Sequence, residues 1–481
     1  MNLRHFAVAT FVPVAVMIAA MALKPLWRDE YWSLFFSDPS LPLAELFGGR
    51  WRNEVHPPLY YVLLHGWRHV FDHPFALRLM SPLLLIVTGA LTLRHAPRSH
   101  RRTVTTFLLV CLGSYWVIYF ATEIRPYTLL FCLTGLSVLL TREWVQADPP
   151  GWAVCLCWTT VGAMMALTHY FGALWFACLG LVIGLDALRA RRIGRFLTVG
   201  ALTIAALVPL IGWLVWSLPV LDLSDEMTQR SAAEKFAAGM QQLSRGLVVK
   251  TFLSNPVVTL LGVAGLIGAI RWRDHIGGVL LYAALLSVGL AFALHMFAVE
   301  LIKERAFIVI MPAILYILAA RLAKRQSRWT AFVPWAAALT PLLFAPEYFK
   351  NREGIPDMQA YLARYAGACD GQPVLAYYRQ NAQRHFYPDA TRSIMKGWDA
   401  DPVFAPDLLD ARQVRSAPAT DCPVRAVGVL LSRQPDEQAD MDAVFSRAGL
   451  DIQTLVPMSF GQGRNRIWID PDAEDGGQTP T

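Results

Sequence analysis

Two adjacent carboxylates, Asp29 and Glu30, follow the first long apolar run of the sequence. Carboxylates at a membrane surface are costly to bury and usually face an aqueous cavity. In such a cavity a carboxylate can take the proton of an acceptor hydroxyl as a new bond forms. Adjacent residues on a helix point about 100° apart, so the two carboxylates cannot share one role. The alternative is a pair of ordinary interfacial charges after a helix.

A histidine stands at a proline turn in the same connector, which reads NEVHPPLYY from Asn53 to Tyr61. Pro57 and Pro58 disfavour helix before them and fix the chain where a new helix begins. The sequence therefore predicts His56 at a rigid turn near the membrane surface, with either a structural role or a place in a site.

A glutamate and an arginine lie in a very short connector at membrane depth, within the segment Glu123-Ile124-Arg125-Pro126-Tyr127. The guanidinium group presents a fixed fork of donors that suits phosphate oxygens. An internal ion pair is the alternative, and the sequence does not decide between the two.

Further cations open a later apolar run at Lys303-Glu304-Arg305. Their compensating negative charge comes from Glu300, Glu304 or a bound anion. Carboxylates, a histidine and cations together suit transfer from a phosphorylated leaving group, because a base activates the acceptor and the cations stabilise the departing phosphate. The sequence contains no Walker loop or dinucleotide fingerprint, so nothing predicts a nucleotide donor.

The elements that must position these residues are membrane helices. Of the 481 residues, 55% are hydrophobic and 16% are charged, against about 45–50% and about 25% in soluble domains. This composition excludes a single soluble globule and a disordered chain. A membrane-spanning helix needs about 20 apolar residues. The sequence predicts eleven spans, at about 6–24, 75–93, 103–121, 126–142, 152–168, 171–188, 196–216, 253–270, 277–296, 304–321 and 329–346.

Arginine-rich connectors predict the orientation of these spans. The formal net charge of +7 comes from clusters between apolar runs, which indicates membrane orientation rather than nucleic-acid binding. With eleven spans and a cytoplasmic N-terminus, four basic clusters fall on the cytoplasmic side, as the positive-inside rule requires. These clusters are 94–102, 189–195, 271–273 and 321–328. The connectors with the candidate site residues are then all extracytoplasmic.

The polar, Pro-rich tail at 351–481 is long enough for a small α/β domain outside the membrane, with a frayed end after about 471. Predicted strands lie at 374–378, 427–431, 452–456 and 465–469, and predicted helices lie near 357–368 and 436–449. Cys369 and Cys422 each precede a strand by a few residues, so neighbouring parallel strands would bring them together. The pair is either a disulfide, as is common outside the cell, or two unrelated thiols.

The sequence resembles the GT-C glycosyltransferases. More narrowly, it resembles glycosyltransferase family 39 and its bacterial relatives, the protein mannosyltransferase and aminoarabinose lipid A transferase group. The resemblance covers about residues 20–350 and depends on the order, spacing and predicted common side of five motifs. These are Asp29-Glu30, His56-Pro57-Pro58-Leu59, the Phe75 to Pro82 entry into the second span, Glu123 to Tyr127, and Glu304-Arg305 followed by Pro312.

The resemblance implies a polytopic helical protein of the cell membrane, with residues 1–350 as a GT-C catalytic domain and juxtamembrane helices in the first external loop, 25–74. The implied donor is a polyprenyl-phosphate-linked sugar, and the acceptor is an extracytoplasmic glycan, lipid or protein. The implied reaction is an inverting displacement with Asp29 as general base and Glu30 beside it. The implied donor-binding residues are Arg125, Arg305, Lys303, His56, Tyr127 and Glu123, and the acceptor or cavity residues are Tyr31, Tyr61, His169 and Tyr170.

Two departures from the family pattern concern the acceptor. In eukaryotic protein mannosyltransferases the His-Pro-Pro-Leu motif continues to a lysine, where this sequence has Tyr61. The connector 217–252 is also too short for the large insertion of those enzymes, so both departures weaken the case for a protein acceptor. Some relatives use a divalent metal near the first-loop carboxylates, but nothing in this sequence forms a convincing ligand set.

Two other classes of protein remain as alternatives. A transporter or flippase for lipid-linked sugars needs polar residues through the membrane midplane, whereas the polar residues here gather at one predicted surface. A catalytically inactive membrane scaffold is the other alternative, and its function would depend on the tail.

Overall fold

The computed structural model describes residues 3–146, 150–220, 231–246, 275–297, 302–324, 339–350, 354–369, 374–377, 402–404, 421–429, 442–446, 449–460 and 465–472. The chain forms two compact units. The first comprises Met1–Leu23 and Phe36–Phe349, and the second comprises Lys24–Phe35 and Lys350–Thr481.

Within the described residues, five helices of the first unit are long and apolar enough to cross a membrane: Pro74–His95, Tyr127–Gln146, Tyr170–Arg189, Ile193–Ser217 and His275–Phe297. Each matches a predicted apolar run. The helix Leu3–Leu23 is apolar from Thr10 to Leu23, and the helix Trp152–Thr168 is apolar but shorter. The protein is therefore a polytopic membrane protein. The predicted span 253–270 lies outside the described residues, as does most of 329–346.

The predicted span 103–121 is not one straight helix. The chain forms two helices, Arg101–Leu112 and Tyr115–Ala121, which are bent by 68° at the break. Ser114 is extended (φ −81°, ψ 131°), and the preceding Gly113 is a poor helix former. All seven residues of the second helix are buried, and this helix leads directly into the short connector that holds Arg125.

The predicted span 304–321 also departs from a continuous α-helix. It begins as a 3-10 helix, Glu304–Val309, and becomes an α-helix only at Met311–Lys324. Pro312 explains the change, because its ring would clash with the carbonyl of residue 308 in a continuous α-helix, whereas proline is tolerated in the first turn. Arg305 is thereby held in the 3-10 helix.

Small residues allow close approach of the spans. A Cβ on Gly162 would lie 2.2 Å from the ring of Phe176, and a Cβ on Gly180 would lie 2.3 Å from Oγ1 of Thr203. The indole of Trp158 also donates to Oγ1 of Thr203 at 3.4 Å. Close contacts through small residues and interhelical hydrogen bonds are typical of membrane helix packing.

Within the described residues, the second unit contains a five-stranded sheet of order β2-β1-β3-β5-β4. The strands are β1 Val374–Tyr377, β2 Pro402–Phe404, β3 Val424–Val429, β4 Val456–Phe460 and β5 Asn465–Ile469. β1 runs parallel to both β2 and β3, while β5 is antiparallel to β3 and β4. The described helical segments of the tail are Ile355–Leu362, Ala363–Tyr365, Ala366–Cys369, Ile452–Thr454 and residues 442–446.

The predicted strand at 452–456 is wrong. Ile452–Thr454 forms a 3-10 helix, and β4 begins only at Val456. The carboxylate of Asp451 accepts a hydrogen bond from the backbone N–H of Gln453 at 3.0 Å. The backbone carbonyl of Asp451 accepts a second bond, from the hydroxyl of Thr454 at 2.7 Å. These local bonds compete with the strand ladder, so they override the β-propensity of the apolar residues.

The helix Arg28–Phe36 begins in the part of the first connector that belongs to the second unit. Tyr31 packs against the sheet core, which includes Met358, Leu362 and Val427. The second unit is therefore built from two distant stretches of sequence.

A disulfide joins Cys369 to Cys422 across a separation of 53 residues. It connects the chain before β1 to the chain before β3, two parallel neighbours. In the chain-entropy model, closing a loop of this length stabilises the folded state by about 4 kcal/mol.

We expect serine at both Cys369 and Cys422 to lower the melting temperature of the second unit by several degrees, because the loop is no longer closed in the unfolded state. Differential scanning calorimetry of the full chain in detergent measures this. Cys157→Ser, at an exposed free cysteine, is the control and should leave the transition in place. An unchanged transition in the double variant would contradict the stabilising role.

Candidate functional site

The connector before the Leu59–Arg68 helix holds a carboxylate that accepts three hydrogen bonds. Oε1 of Glu54 lies 2.5 Å from Nδ1 of His56 and 3.1 Å from the hydroxyl of Tyr61. The backbone N–H of His56 donates to the same oxygen at 3.3 Å. The Pro57-Pro58 turn keeps the three residues within reach of each other. Because an ionised carboxylate only accepts, Nδ1 of His56 carries a proton.

Tyr61 is a neutral donor at physiological pH. Its side chain is buried, and burial raises the pKa of its phenol well above the ordinary value, with the charge of Glu54 adding to the effect. The nearby charge of Arg125 acts in the opposite direction. The phenol therefore keeps its proton and donates a hydrogen bond to the carboxylate of Glu54.

His169 occupies the junction between the helices Trp152–Thr168 and Tyr170–Arg189. Its Nδ1 accepts a hydrogen bond from the backbone N–H of Phe171 at 3.2 Å and so caps the second helix. Its ring packs edge-on against His56, with ring centroids 5.2 Å apart. Burial lowers the pKa of His169 well below the ordinary value, and His56, Arg305 and Arg125 lower it further. His169 is therefore neutral, with its proton on Nε2.

Two arginines flank one aromatic ring. Cζ of Arg125 lies 5.7 Å from the ring centroid of Tyr127, and Cζ of Arg305 lies 5.8 Å from it. These distances are within the range of cation–π attraction. Tyr127 is buried, and its hydroxyl has no hydrogen-bond partner within the described part of the chain. A buried hydroxyl normally has a hydrogen-bond partner, so a water molecule or a bound ligand would complete its contacts.

These residues form one group, which we call the connector cluster: Glu54, His56, Tyr61, Arg125, Tyr127, His169 and Arg305. The ring of Tyr127 also lies 5.8 Å from that of His169, which links the arginines to the histidines. The cluster combines two permanent cations with four further side chains that carry hydrogen-bond donors: His56, Tyr61, Tyr127 and His169. Such a set is suited to a phosphate group, because each oxygen of a phosphate accepts hydrogen bonds and carries negative charge.

Other predicted residues of the first unit lie at the helix ends around this cluster. Glu123 is buried in the connector after the Tyr115–Ala121 helix, and the hydroxyl of Ser81 donates to its carbonyl at 3.2 Å. Tyr170 is the first residue of its helix. Lys303 is exposed and precedes the 3-10 helix that carries Arg305.

The predicted acid pair belongs to the second unit. Asp29 and Glu30 are both buried in the first turn of the Arg28–Phe36 helix, where negative charge is favourable for the helix dipole. The Glu30 carboxylate accepts a hydrogen bond from the backbone N–H of Trp27 at 3.3 Å, and the hydroxyl of Ser33 donates to the carbonyl of Asp29 at 3.2 Å. The division of roles between the two acids stays a prediction.

The described residues include no group of three or more His, Cys, Asp or Glu side chains that could hold a metal ion. The donor set of the connector cluster, with its single carboxylate, does not fit a divalent metal.

Glu54 is a member of the cluster that sequence reasoning did not single out. The signal was present, because an acidic residue stands two positions before a histidine at a Pro-Pro turn. A turn of that kind brings side chains that are close in sequence next to each other, so the contact between Glu54 and His56 could have been predicted.

The fold is decided by two solved structures. ArnT from Cupriavidus metallidurans bound to undecaprenyl phosphate superimposes with a TM-score of 0.56 at 14% identity and covers 100% of both chains. ArnT from the same organism in the apo state gives a TM-score of 0.55 at 12% identity, over 96% of this chain and 97% of that chain. The chain has the GT-C fold. Family models give no match, and neither do the curated proteins.

The GT-C fold that the sequence resemblance implied is thus confirmed. Identities of this size show the fold alone, so membership in glycosyltransferase family 39 stays a prediction. The roles of the cluster residues are likewise predictions.

The neutral His169 leads to a prediction about pH. Its folded pKa lies below the unfolded value of about 6.5, so below pH 6.5 the unfolded state takes up a proton that the folded state does not. Stability from this residue is therefore present above pH 6.5 and is lost as the pH falls toward the folded pKa. We expect the melting temperature to drop by several degrees between pH 7.5 and pH 5.5, and His169→Asn, which keeps a capping side chain, to reduce that drop.

His73→Asn is the matched control for this measurement. His73 also caps a helix through Nδ1, at Pro74–Arg78, but it is exposed. The control variant should keep the full pH dependence of the wild type. An identical pH dependence in His169→Asn and wild type would contradict the neutral state of His169.

Proposed function

We propose that the protein is a membrane glycosyltransferase that moves a sugar from a polyprenyl-phosphate donor to an acceptor hydroxyl. The observation that carries the proposal is the convergence of Arg125 and Arg305 on the buried ring of Tyr127, next to two histidines and a carboxylate. The GT-C fold shared with ArnT bound to undecaprenyl phosphate is consistent with a lipid-phosphate substrate.

In the proposed reaction, the two guanidinium groups bind the phosphate of the donor. The acceptor hydroxyl gives its proton to a carboxylate base as its oxygen attacks the anomeric carbon. The bond between that carbon and the phosphate oxygen breaks, and the polyprenyl phosphate leaves with the electron pair. Arg125 and Arg305 stabilise the negative charge that grows on the leaving group. A single displacement of this kind inverts the anomeric configuration.

We assign the base to Asp29, as the family resemblance implies. Within the connector cluster, the Glu54 carboxylate holds His56 and Tyr61 in fixed orientations, so that the Nε2 atom of His56 is left for a ligand. Tyr127 supplies a further donor through its hydroxyl. We place the reaction at the extracytoplasmic face of the inner membrane, on the orientation that the basic connectors predict.

Transfer in membranes tests this proposal. Membranes that contain the protein are supplied with polyprenyl phosphates carrying different sugars, and both the glycosylated product and the released polyprenyl phosphate are measured. We expect equal amounts of the two products for one of the sugars. Movement of the intact lipid-linked sugar across the bilayer without a new glycosidic bond would refute the transferase and favour a flippase.

A further inference from the structure

A second cationic site lies away from the connector cluster, at the end of a membrane span. Arg52 lies in the short 3-10 helix Trp51–Asn53, which directly follows the short helical segment Leu46–Arg50. Its Nε donates to the carbonyl of Trp216 at 3.2 Å, and its Cζ lies 5.2 Å from the centroid of the Trp216 ring. Trp216 is the penultimate residue of the Ile193–Ser217 span.

Within the described residues, the guanidinium group of Arg52 is oriented by its contacts but not paired with a carboxylate. Its contacts within the described residues are those two with Trp216, and neither supplies negative charge. The Nε bond and the ring contact fix the plane of the group, so the Nη donors are presented in a fixed direction. A pre-oriented fork of donors is suited to a phosphate.

Aromatic rings pack around Trp216, the residue that contacts this arginine, at the end of the span. The ring of Phe47 stacks on Trp216 at 4.5 Å and contacts Trp213 at 5.7 Å. Phe47 is 45% exposed, and Val215 on the same span is 72% exposed. Aromatic residues at the end of a span lie at the level of the lipid headgroups, and the exposed apolar side chains are suited to acyl chains.

We propose that Arg52, with Phe47 and Trp216, binds the headgroup of an anionic phospholipid from the surrounding bilayer. The guanidinium group contacts the lipid phosphate, and the aromatic rings contact the upper part of the acyl chains. Among the described residues, no carboxylate pairs with Arg52, and its position at the end of a span is the level at which lipid headgroups lie. The site is separate from the proposed donor site and does not depend on transferase activity.

Native mass spectrometry of the full-length protein in detergent tests the site. The protein is titrated with phosphatidylglycerol and, separately, with phosphatidylcholine. We expect phosphatidylglycerol to bind more tightly, and Arg52→Gln to weaken its binding about tenfold, which corresponds to about 1.4 kcal/mol, without weakening that of phosphatidylcholine. Arg52→Lys keeps the charge without the fork and should lie between wild type and Arg52→Gln.

A control variant sharpens the result. Arg98→Gln removes an exposed arginine from another connector and should retain phosphatidylglycerol as the wild type does. The proposal is overturned if the two lipids bind equally, if Arg52→Gln binds phosphatidylglycerol like the wild type, or if Arg98→Gln loses as much. Displacement of the lipid by inorganic phosphate alone would also overturn it, because the site would then recognise free phosphate.

Discussion

Asp29→Asn is expected to lower kcat/KM for sugar transfer by about 10²–10⁴-fold, the range by which a positioned general base accelerates a reaction. The asparagine side chain is nearly the same size but cannot take the proton of the acceptor hydroxyl. The measurement is the initial rate of transfer in membranes or detergent, with the sugar identified in the transfer experiment.

Asp72→Asn is the matched control, because Asp72 is an exposed carboxylate in the same connector. It should transfer at the wild-type rate. If Asp29→Asn is folded, as shown by an unchanged melting temperature, and keeps more than about a tenth of the wild-type rate, the assignment of the base is wrong. That result would leave the phosphate-binding role of the arginines untouched.

Arg125→Gln is expected to lower kcat/KM by about 10²–10³-fold, the effect of removing one preorganised donor from a group that stabilises transition-state charge. The loss should appear mainly in kcat, because the charge on the phosphate grows as the glycosidic bond breaks. Arg125→Lys keeps the charge but loses the planar fork, so it should restore only part of the activity. Arg305→Gln should behave like Arg125→Gln, since both cations face the same ring.

Arg142→Gln is the control for the arginine variants. Arg142 lies near the other end of the same Tyr127–Gln146 helix and donates to Gln146 at 2.9 Å. The Arg142→Gln variant should transfer sugar at the wild-type rate. If Arg142→Gln and Arg125→Gln lose equal transfer activity, the helix is sensitive to the loss of any charge, and the specific role of Arg125 is contradicted.

Much of the membrane unit could be predicted from the sequence, because the length of an apolar run is a local property. The run at 171–188 became the helix Tyr170–Arg189, and the run at 196–216 became Ile193–Ser217. The strand at 465–469 was also predicted with its exact bounds. The break near Ser114 was harder to predict, since a continuous apolar run does not reveal a change of direction.

The pairing of Glu54 with His56 and Tyr61 shows how far local reasoning reaches. All three lie within eight residues around a Pro-Pro turn, so their contact follows from the stiffness of the chain. The contact of Tyr127 with Arg305 is of another kind. These residues are 178 positions apart, and no local propensity relates them.

The sequence by itself therefore determined that this is a polytopic membrane protein, and it determined which connectors carry cations and carboxylates. Hydrophobic length and charge placement are sufficient for that, because the bilayer acts on each segment separately. Only the tertiary structure decided that the connectors with His56, Arg125, His169 and Arg305 meet around Tyr127. Their meeting depends on how helices pack side by side and on where two spans break, and these properties arise from contacts between segments far apart in the chain.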